Sequence, residues 1–221
     1  MPLSPQQAKT LADAVAGYAF PTAHFDFASQ TPVVRLSMSE LETRIRQQLL
    51  SDSPDTVKDG LSNVLYWGFT QMGGLANVRV GRFRSGVEDL QIEQAAALFK
   101  EQPRPALYEI ASLKMPEFSS VSFVSKIRMF LDPTQSATLD MQIMKIQQVH
   151  SDTVLAAIKQ DPTRIRISKA NSNAYEGWCE RLADIARTYL PDARVADVER
   201  GFFQMIQDNK VAAAAAILRD A

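Results

Sequence analysis

The stretch from Leu113 to Ile146 constrains the fold more than any other part of the chain. A short turn, Leu113-Lys114-Met115-Pro116-Glu117-Phe118, runs into an apolar helical pattern from about 119 to 131. Pro133 then stops that helix, because proline has no N–H to donate and its ring clashes with the preceding turn. After the loop Thr134 to Leu139, Asp140 stands where the next helical pattern begins, a position that favours aspartate because its carboxylate accepts from the first free helix N–H groups. A chain with this layout places a carboxylate at a fixed point between two helices.

Helical signals dominate the remainder. Apolar residues recur at helical spacing in Leu11, Ala12, Val15 and Tyr18, predicting a helix from about 6 to 18. Ser37-Met38-Ser39-Glu40 has the form of a capping box, followed by a helix to about 50 with Leu41, Ile45, Leu49 and Leu50 on one face. Pro54 suits a helix first turn, and that helix carries Val57, Leu61, Val64, Leu65 and Phe69 before ending at Gly73-Gly74. Further helices are predicted over about 88–102, 105–113, 140–149, 151–159, 174–190, 196–207 and 211–219. Two stretches in the first forty residues, 24–27 and 33–36, read as short strands or extended loop. The stretch from Val78 to Gly86, with two glycines and no helical period, reads as a loop or short extended segment. With no linker in sight, the expectation is an all-α fold in which residues 1–221 form a single helical domain, a bundle in one body or as two lobes with a cleft between them.

Composition narrows the setting. The chain is 46% hydrophobic and 22% charged, with a net charge of −1, the balance of an ordinary globular protein. The lack of a basic excess argues against strong nonspecific nucleic-acid affinity. The one cysteine, Cys179, excludes an internal disulfide and paired-cysteine zinc sites, and its helical setting reads as a buried thiol. His24 and His150 have no metal-ligand spacing, so no metal and no cofactor are expected. The first residues lack the basic start and apolar run of a signal peptide, and no apolar stretch reaches membrane-spanning length. The expectation is a cytoplasmic monomer without membrane contact.

The 113–146 segment resembles the helix-hairpin-helix region of base-excision DNA glycosylases. Ser122-Phe123-Val124-Ser125-Lys126, Phe130-Leu131-Asp132-Pro133 and Leu139-Asp140 look like a bacterial set of proteins with an 8-oxoguanine DNA glycosylase fold. So do Tyr66-Trp67-Gly68-Phe69, Tyr175 with Trp178-Cys179, and Asp197-Val198-Glu199-Arg200. The likeness covers most of the chain after about residue 55. It implies DNA as partner, a hairpin whose backbone N–H groups face a phosphate, and an aspartate beside the flipped base.

On that resemblance Asp140 is the catalytic carboxylate. The lysine that forms a Schiff base in bifunctional members falls on Val121, or on Ser122 with a one-residue shift, and neither can form one. Glu117 and Ser119 stand where the hairpin glycines would be. Lys126, about a turn further on, is the remaining candidate amine and a candidate phosphate contact. Ser119, Ser120, Ser122 and Arg128 on the hairpin, and Arg79, Arg82 and Arg84 with Phe83 among them, are candidate nucleic-acid contacts. Trp67 and Phe69 are candidate base-pocket walls. The bland alternatives stand beside these: Asp140 as a helix cap, Trp67 and Phe69 as core, Lys126 and the arginines as solvated side chains. The implied activity is hydrolytic release of a damaged purine such as 8-oxoguanine, by a monofunctional enzyme. The alternative is a catalytically inactive module that binds nucleic acid or protein on the same fold.

Overall fold

The computed structural model describes residues 2–33 and 35–221; Val34, inside the stretch read above as strand or loop, lies outside the described residues. The described chain is mostly helical. Its elements, in order, are α1 (Pro5–Ala16), β1 (His24–Asp26), β2 (Thr31–Val33), α2 (Met38–Leu49), α3 (Pro54–Gly68), α4 (Leu75–Gly86), α5 (Asp89–Glu101), α6 (Leu107–Ser112), α7 (Val121–Leu131), α8 (Lys145–Val149), a 3₁₀ turn (Val154–Ala157), α9 (Lys169–Tyr189), α10 (Val195–Gln207) and α11 (Val211–Asp220). Among the described residues no helix is long and apolar enough to cross a membrane. The chain divides into two units. A terminal unit combines Met1–Ala19 with Pro133–Ala221, and a central unit is Phe20–Asp132. The division falls inside the 113–146 segment, so α7 and Asp140 belong to different units.

The central unit is organised around α3. Ser53 caps it by accepting from Thr56 N–H, and Pro54 fills the first turn, where a missing N–H costs nothing. Its buried residues Val57, Leu61, Val64 and Leu65 meet α2, α4, α5 and α7. Gly60 lies where α2 crosses closely: a Cβ there would sit 2.9 Å from Gln48 Cβ and 3.0 Å from Leu49 N. The Ser37–Glu40 capping box forms as the sequence predicts. The strands β1 and β2 pair antiparallel, with His24 opposite Val33 and Asp26 opposite Thr31.

One reading is corrected here. Residues 78–86 are not loop but most of α4. Gly81 faces open space, so it weakens the helix only by its own propensity, about 1 kcal/mol relative to alanine. Buried Ala76, Val80 and Phe83 supply the packing face. A second difference concerns the start of the helix after Asp140, where turns occupy 141–144 before α8.

In the terminal unit α1 packs across α10, with Gly201 at the crossing; a Cβ there would meet Val15 Cγ2 at 2.7 Å. The segment from Pro133 to Asp140 has no regular structure, yet Ser136, Ala137, Thr138 and Leu139 are buried. Buried backbone needs partners, and α9 supplies them. Tyr175 hydroxyl donates to Ala137 O at 2.7 Å, and Trp178 Nε1–H donates to Thr138 O at 3.0 Å. Both rings are fully buried, each contributing about 2–3 kcal/mol by removal from water. Cys179 beside them is buried and forms no disulfide, as its helical setting implies.

Candidate active site and hairpin

Asp140 ends the pinned segment. Its Oδ1 accepts from Gln142 N at 2.9 Å and Ile143 N at 3.2 Å, satisfying N–H groups at the start of the turns that lead into α8. The residue is half-buried. Because the backbone before it is fixed by Tyr175 and Trp178, and its own side chain is fixed by two N–H groups, the carboxylate has little positional freedom.

Its charge reaches Tyr18 within the same unit. Tyr18, just beyond α1, is pushed well above the usual phenol range: burial is the first cause, followed by the negative charge of Glu199, with Asp140 adding to it and Arg200 opposing it. Arg200 also hydrogen-bonds the Tyr18 hydroxyl, and its guanidinium lies 5.6 Å from the centre of the Tyr18 ring. Glu199 and Arg200 are both buried. Arg200 Nη1 reaches Asp197 Oδ1 at 3.0 Å, and Arg194 grips the same carboxylate through Nε and Nη2 at 2.8 Å each. Burial raises Asp197, but hydrogen bonds from Arg194 and the charges of both arginines outweigh it and hold the carboxyl below its usual range.

The result is a phenol that stays protonated across physiological pH, within electrostatic reach of two carboxylates and a guanidinium. Such a set can orient a water, accept its proton and offset positive charge developing on a substrate. Of these residues only Asp140 stands out in the sequence as a candidate; Glu199 and Arg200 lie in a stretch known by resemblance alone, and Tyr18 ends an apolar face. No local spacing links residues 18, 140 and 199; the fold alone brings them together.

The hairpin lies in the central unit, between α6 and α7. Two of its residues, Lys114 (φ 54) and Glu117 (φ 69), occupy the left-handed region, which glycine enters without the steric cost other residues bear. Glu117 is thus a non-glycine residue at a position where the hairpin backbone favours glycine. Its carboxylate accepts from Arg79 Nη1 at 2.7 Å and is largely buried. Gln91 Nε2 donates to the carbonyls of Leu113 and Lys114 and ties the turn to α5.

The remaining candidates sort by burial. Lys126 is 7% exposed; its Nζ donates to Ser122 O at 3.1 Å and lies 5.3 Å from the Phe123 ring centre. Arg128 is 1% exposed and donates from Nη1 to Pro105 O. Arg84 is bound to Asp59 at 2.6 Å and lies over the Phe27 ring, while Arg79 lies over the Phe69 ring. Arg82 and Ser119 are exposed, and Ser120 and Ser122 are partly so. Trp67 is buried edge-on between Phe20 and Phe130, with no hydrogen-bond partner for its Nε1–H. Phe69 stacks on Phe123 at 4.4 Å. Thus Lys126, Arg128, Trp67 and Phe69 belong to the packing around α3 and α7, and Arg82 stands in solvent. Among the described residues no group of three or more His, Cys, Asp and Glu side chains converges to hold a metal ion.

Comparison of the chain with protein-family models, with curated proteins and with solved structures finds no match in any of the three.

Proposed function

We propose that the protein is a monofunctional DNA N-glycosylase that releases a damaged purine, 8-oxoguanine being the leading candidate, with Asp140 as its catalytic carboxylate. The observation that carries this reading is the way Asp140 is held. An irregular buried segment, secured by Tyr175 and Trp178, ends on a half-buried carboxylate whose charge, like those of Glu199 and Arg200, acts on the buried Tyr18. A cap alone does not call for such support.

In the proposed reaction the C1′–N bond of the flipped nucleotide breaks, and its electron pair leaves with the base, which takes up a proton. Asp140, ionised, offsets the positive charge left on the sugar. It then accepts a proton from the water whose oxygen bonds to C1′. No protein–sugar bond forms, in keeping with Val121 and Ser122 at the lysine position and with Lys126 Nζ bound to Ser122 O.

The test is Asp140→Asn. The amide oxygen can still accept from Gln142 and Ile143, so folding and DNA binding should persist, while base release should fall by about 10³-fold or more. Undiminished release on the lesion that the wild type accepts would end this reading. Borohydride treatment of the DNA complex should trap no adduct; a Lys126-dependent adduct would replace the hydrolytic mechanism with a lyase.

Glu117 favours a second reading, a binding module without catalysis. A carboxylate at a phosphate-facing hairpin repels the backbone it should grip, and here the Arg79 pair holds it in place. Salt-dependent binding to an abasic-analogue duplex, with no turnover on any lesion, would select this reading over the first.

A further inference from the structure

Where α1 passes the turn between α9 and α10, the terminal unit holds a pocket of 320 Å³. α1 contributes Ala12, Val15 and Ala16, whose spacing puts them on one side of the helix, and the turn contributes Leu190, Pro191 and Ala193. The concavity follows from side-chain size: three of these six are alanines, and they leave space that larger residues would fill. The buried side of α1, with Leu11 and Ala14, faces the core instead.

The chain itself fixes the walls. Pro191 restricts the turn, and Ala193 N–H closes it by donating to Leu190 O at 2.8 Å. The Tyr189 ring, also in the lining, is held at its far end, where the hydroxyl accepts from Leu3 N at 3.1 Å. Walls tied in this way keep their shape, and ligand sites are mostly formed in advance.

Two carboxylates reach the lining, and they differ. Asp197 is saturated. Its Oδ2 accepts from Arg194 N at 3.0 Å and Nε at 2.8 Å, and its Oδ1 from Arg194 Nη2 at 2.8 Å and Arg200 Nη1 at 3.0 Å. Each oxygen thus has both lone pairs in use. Asp192 is exposed and pairs with no described residue. Among the described residues of the lining, it is the charge left for a ligand. An apolar cup with a free carboxylate at its rim and an aromatic ring in its wall suits a cation with an apolar body. Aromatic rings attract ammonium groups, and a carboxylate pairs with them. An anion of the same shape would be repelled by Asp192. The space lies at the small end of ligand sites, which limits the body to a single ring or a short branched chain.

We propose that this pocket binds a small organic amine, with its apolar body on Ala12, Val15 and Leu190 and its ammonium paired with Asp192. The assignment does not rest on the reaction at Asp140, and neither needs the other.

The experiment uses the whole chain with ¹³C-labelled alanine methyl groups, so that Ala12, Ala16 and Ala193 report from the lining. Benzylamine, benzyl alcohol and benzoate, one ring with a positive, a neutral and a negative head, are titrated in separate arms and followed by NMR. The three methyl resonances should move saturably with benzylamine, at higher concentration with benzyl alcohol, and not with benzoate. Asp192→Asn should weaken benzylamine about threefold to fivefold, the effect of one exposed ion pair, and leave benzyl alcohol unchanged. Ala12→Leu should fill the space and abolish both, with helix α1 retained because leucine is a good helix former. The proposal is overturned if the three methyls respond to none of the probes, if benzyl alcohol or benzoate binds as tightly as benzylamine, or if Asp192→Asn leaves benzylamine unaffected. Binding by Ala12→Leu equal to that of the wild type overturns it as well. Base release by Asp140→Asn has no bearing on any of these outcomes.

Discussion

In the central unit the buried cations of α7 reach main-chain carbonyls, whereas in the terminal unit a buried phenol lies in the field of several charges. Lys126 donates to Ser122 O and Arg128 to Pro105 O; these bonds hold one helix to its own turn and to the segment before α6. In the terminal unit the charges of Glu199, Arg200 and Asp140 instead act on the buried Tyr18 hydroxyl. A buried charge spent on a carbonyl fastens structure. A buried set of titratable groups costs stability to assemble, and such sets concentrate where chemistry is done. The bonds from Lys126 and Arg128 secure α7, while the charges around Tyr18 belong to the region on which the proposed function rests.

The largest effect should come from removing a fastening charge. Arg128→Ala leaves a cavity at a site 1% exposed and strips Pro105 O of its donor. Urea denaturation should show a loss of about 3–5 kcal/mol, the range for large core truncations and broken buried charges. A loss below about 1 kcal/mol, the level of a surface substitution, would remove the distinction between the two units.

The tight helix crossings give the next contrast. Gly60→Ala drives a methyl group against Gln48 Cβ and the Leu49 backbone, which cannot withdraw without moving α2, so a loss of about 1–3 kcal/mol is expected. Gly201→Ala meets side-chain atoms of Val15 and Leu11 first, with the Leu11 carbonyl oxygen farther off at 3.4 Å, and side chains give way at less cost than backbone. The helix propensity gain of about 1 kcal/mol should then offset most of the strain. Equal losses in thermal unfolding would mean that α1 and α10 are as inflexible at their crossing as α2 and α3.

Much of the fold is legible in the sequence because the signals are local. Ser37 with Glu40, Pro54 in the first turn and Pro191 after α9 mark helix ends within a residue or two. The α4 helix escapes such reading: Gly81 and Gly86 imitate a loop, and the residues that hold it, Val80 and Phe83, are interleaved with arginines. Asp140 is legible as a residue, from its place after Pro133 and by resemblance. Its surroundings are not, since Tyr18 and Glu199 lie 122 and 59 positions away in the chain and neither carries a motif. The pairing of Glu117 with Arg79 is hidden for the same reason, while the left-handed backbone at Glu117 is foreshadowed by the glycine that the resemblance expects there.

Acid should separate the two units further. Asp197 in the terminal unit has its carboxyl held below the ordinary range: burial raises it, but Arg194 and Arg200 prevail. A depressed carboxylate contributes stability that is present above its unfolded value and lost as pH falls through the folded one. Asp197→Asn should therefore cost about 1–2 kcal/mol near neutral pH and flatten the acid limb of the stability curve below the ordinary aspartate range.

The smallest effect concerns His24, whose imidazole is held below its usual value of 6.5 by burial, with Gln48 opposing. Here the unfolded chain binds the proton more readily than the folded one, so stability is complete above 6.5 and falls as pH drops from there toward the lowered folded value. His24→Gln removes this dependence while retaining a polar side chain. Stability curves of the variant and the wild type should run parallel above pH 6.5, with the variant flatter below it. A variant that keeps the wild-type fall below pH 6.5 would show that His24 is not the source of that dependence.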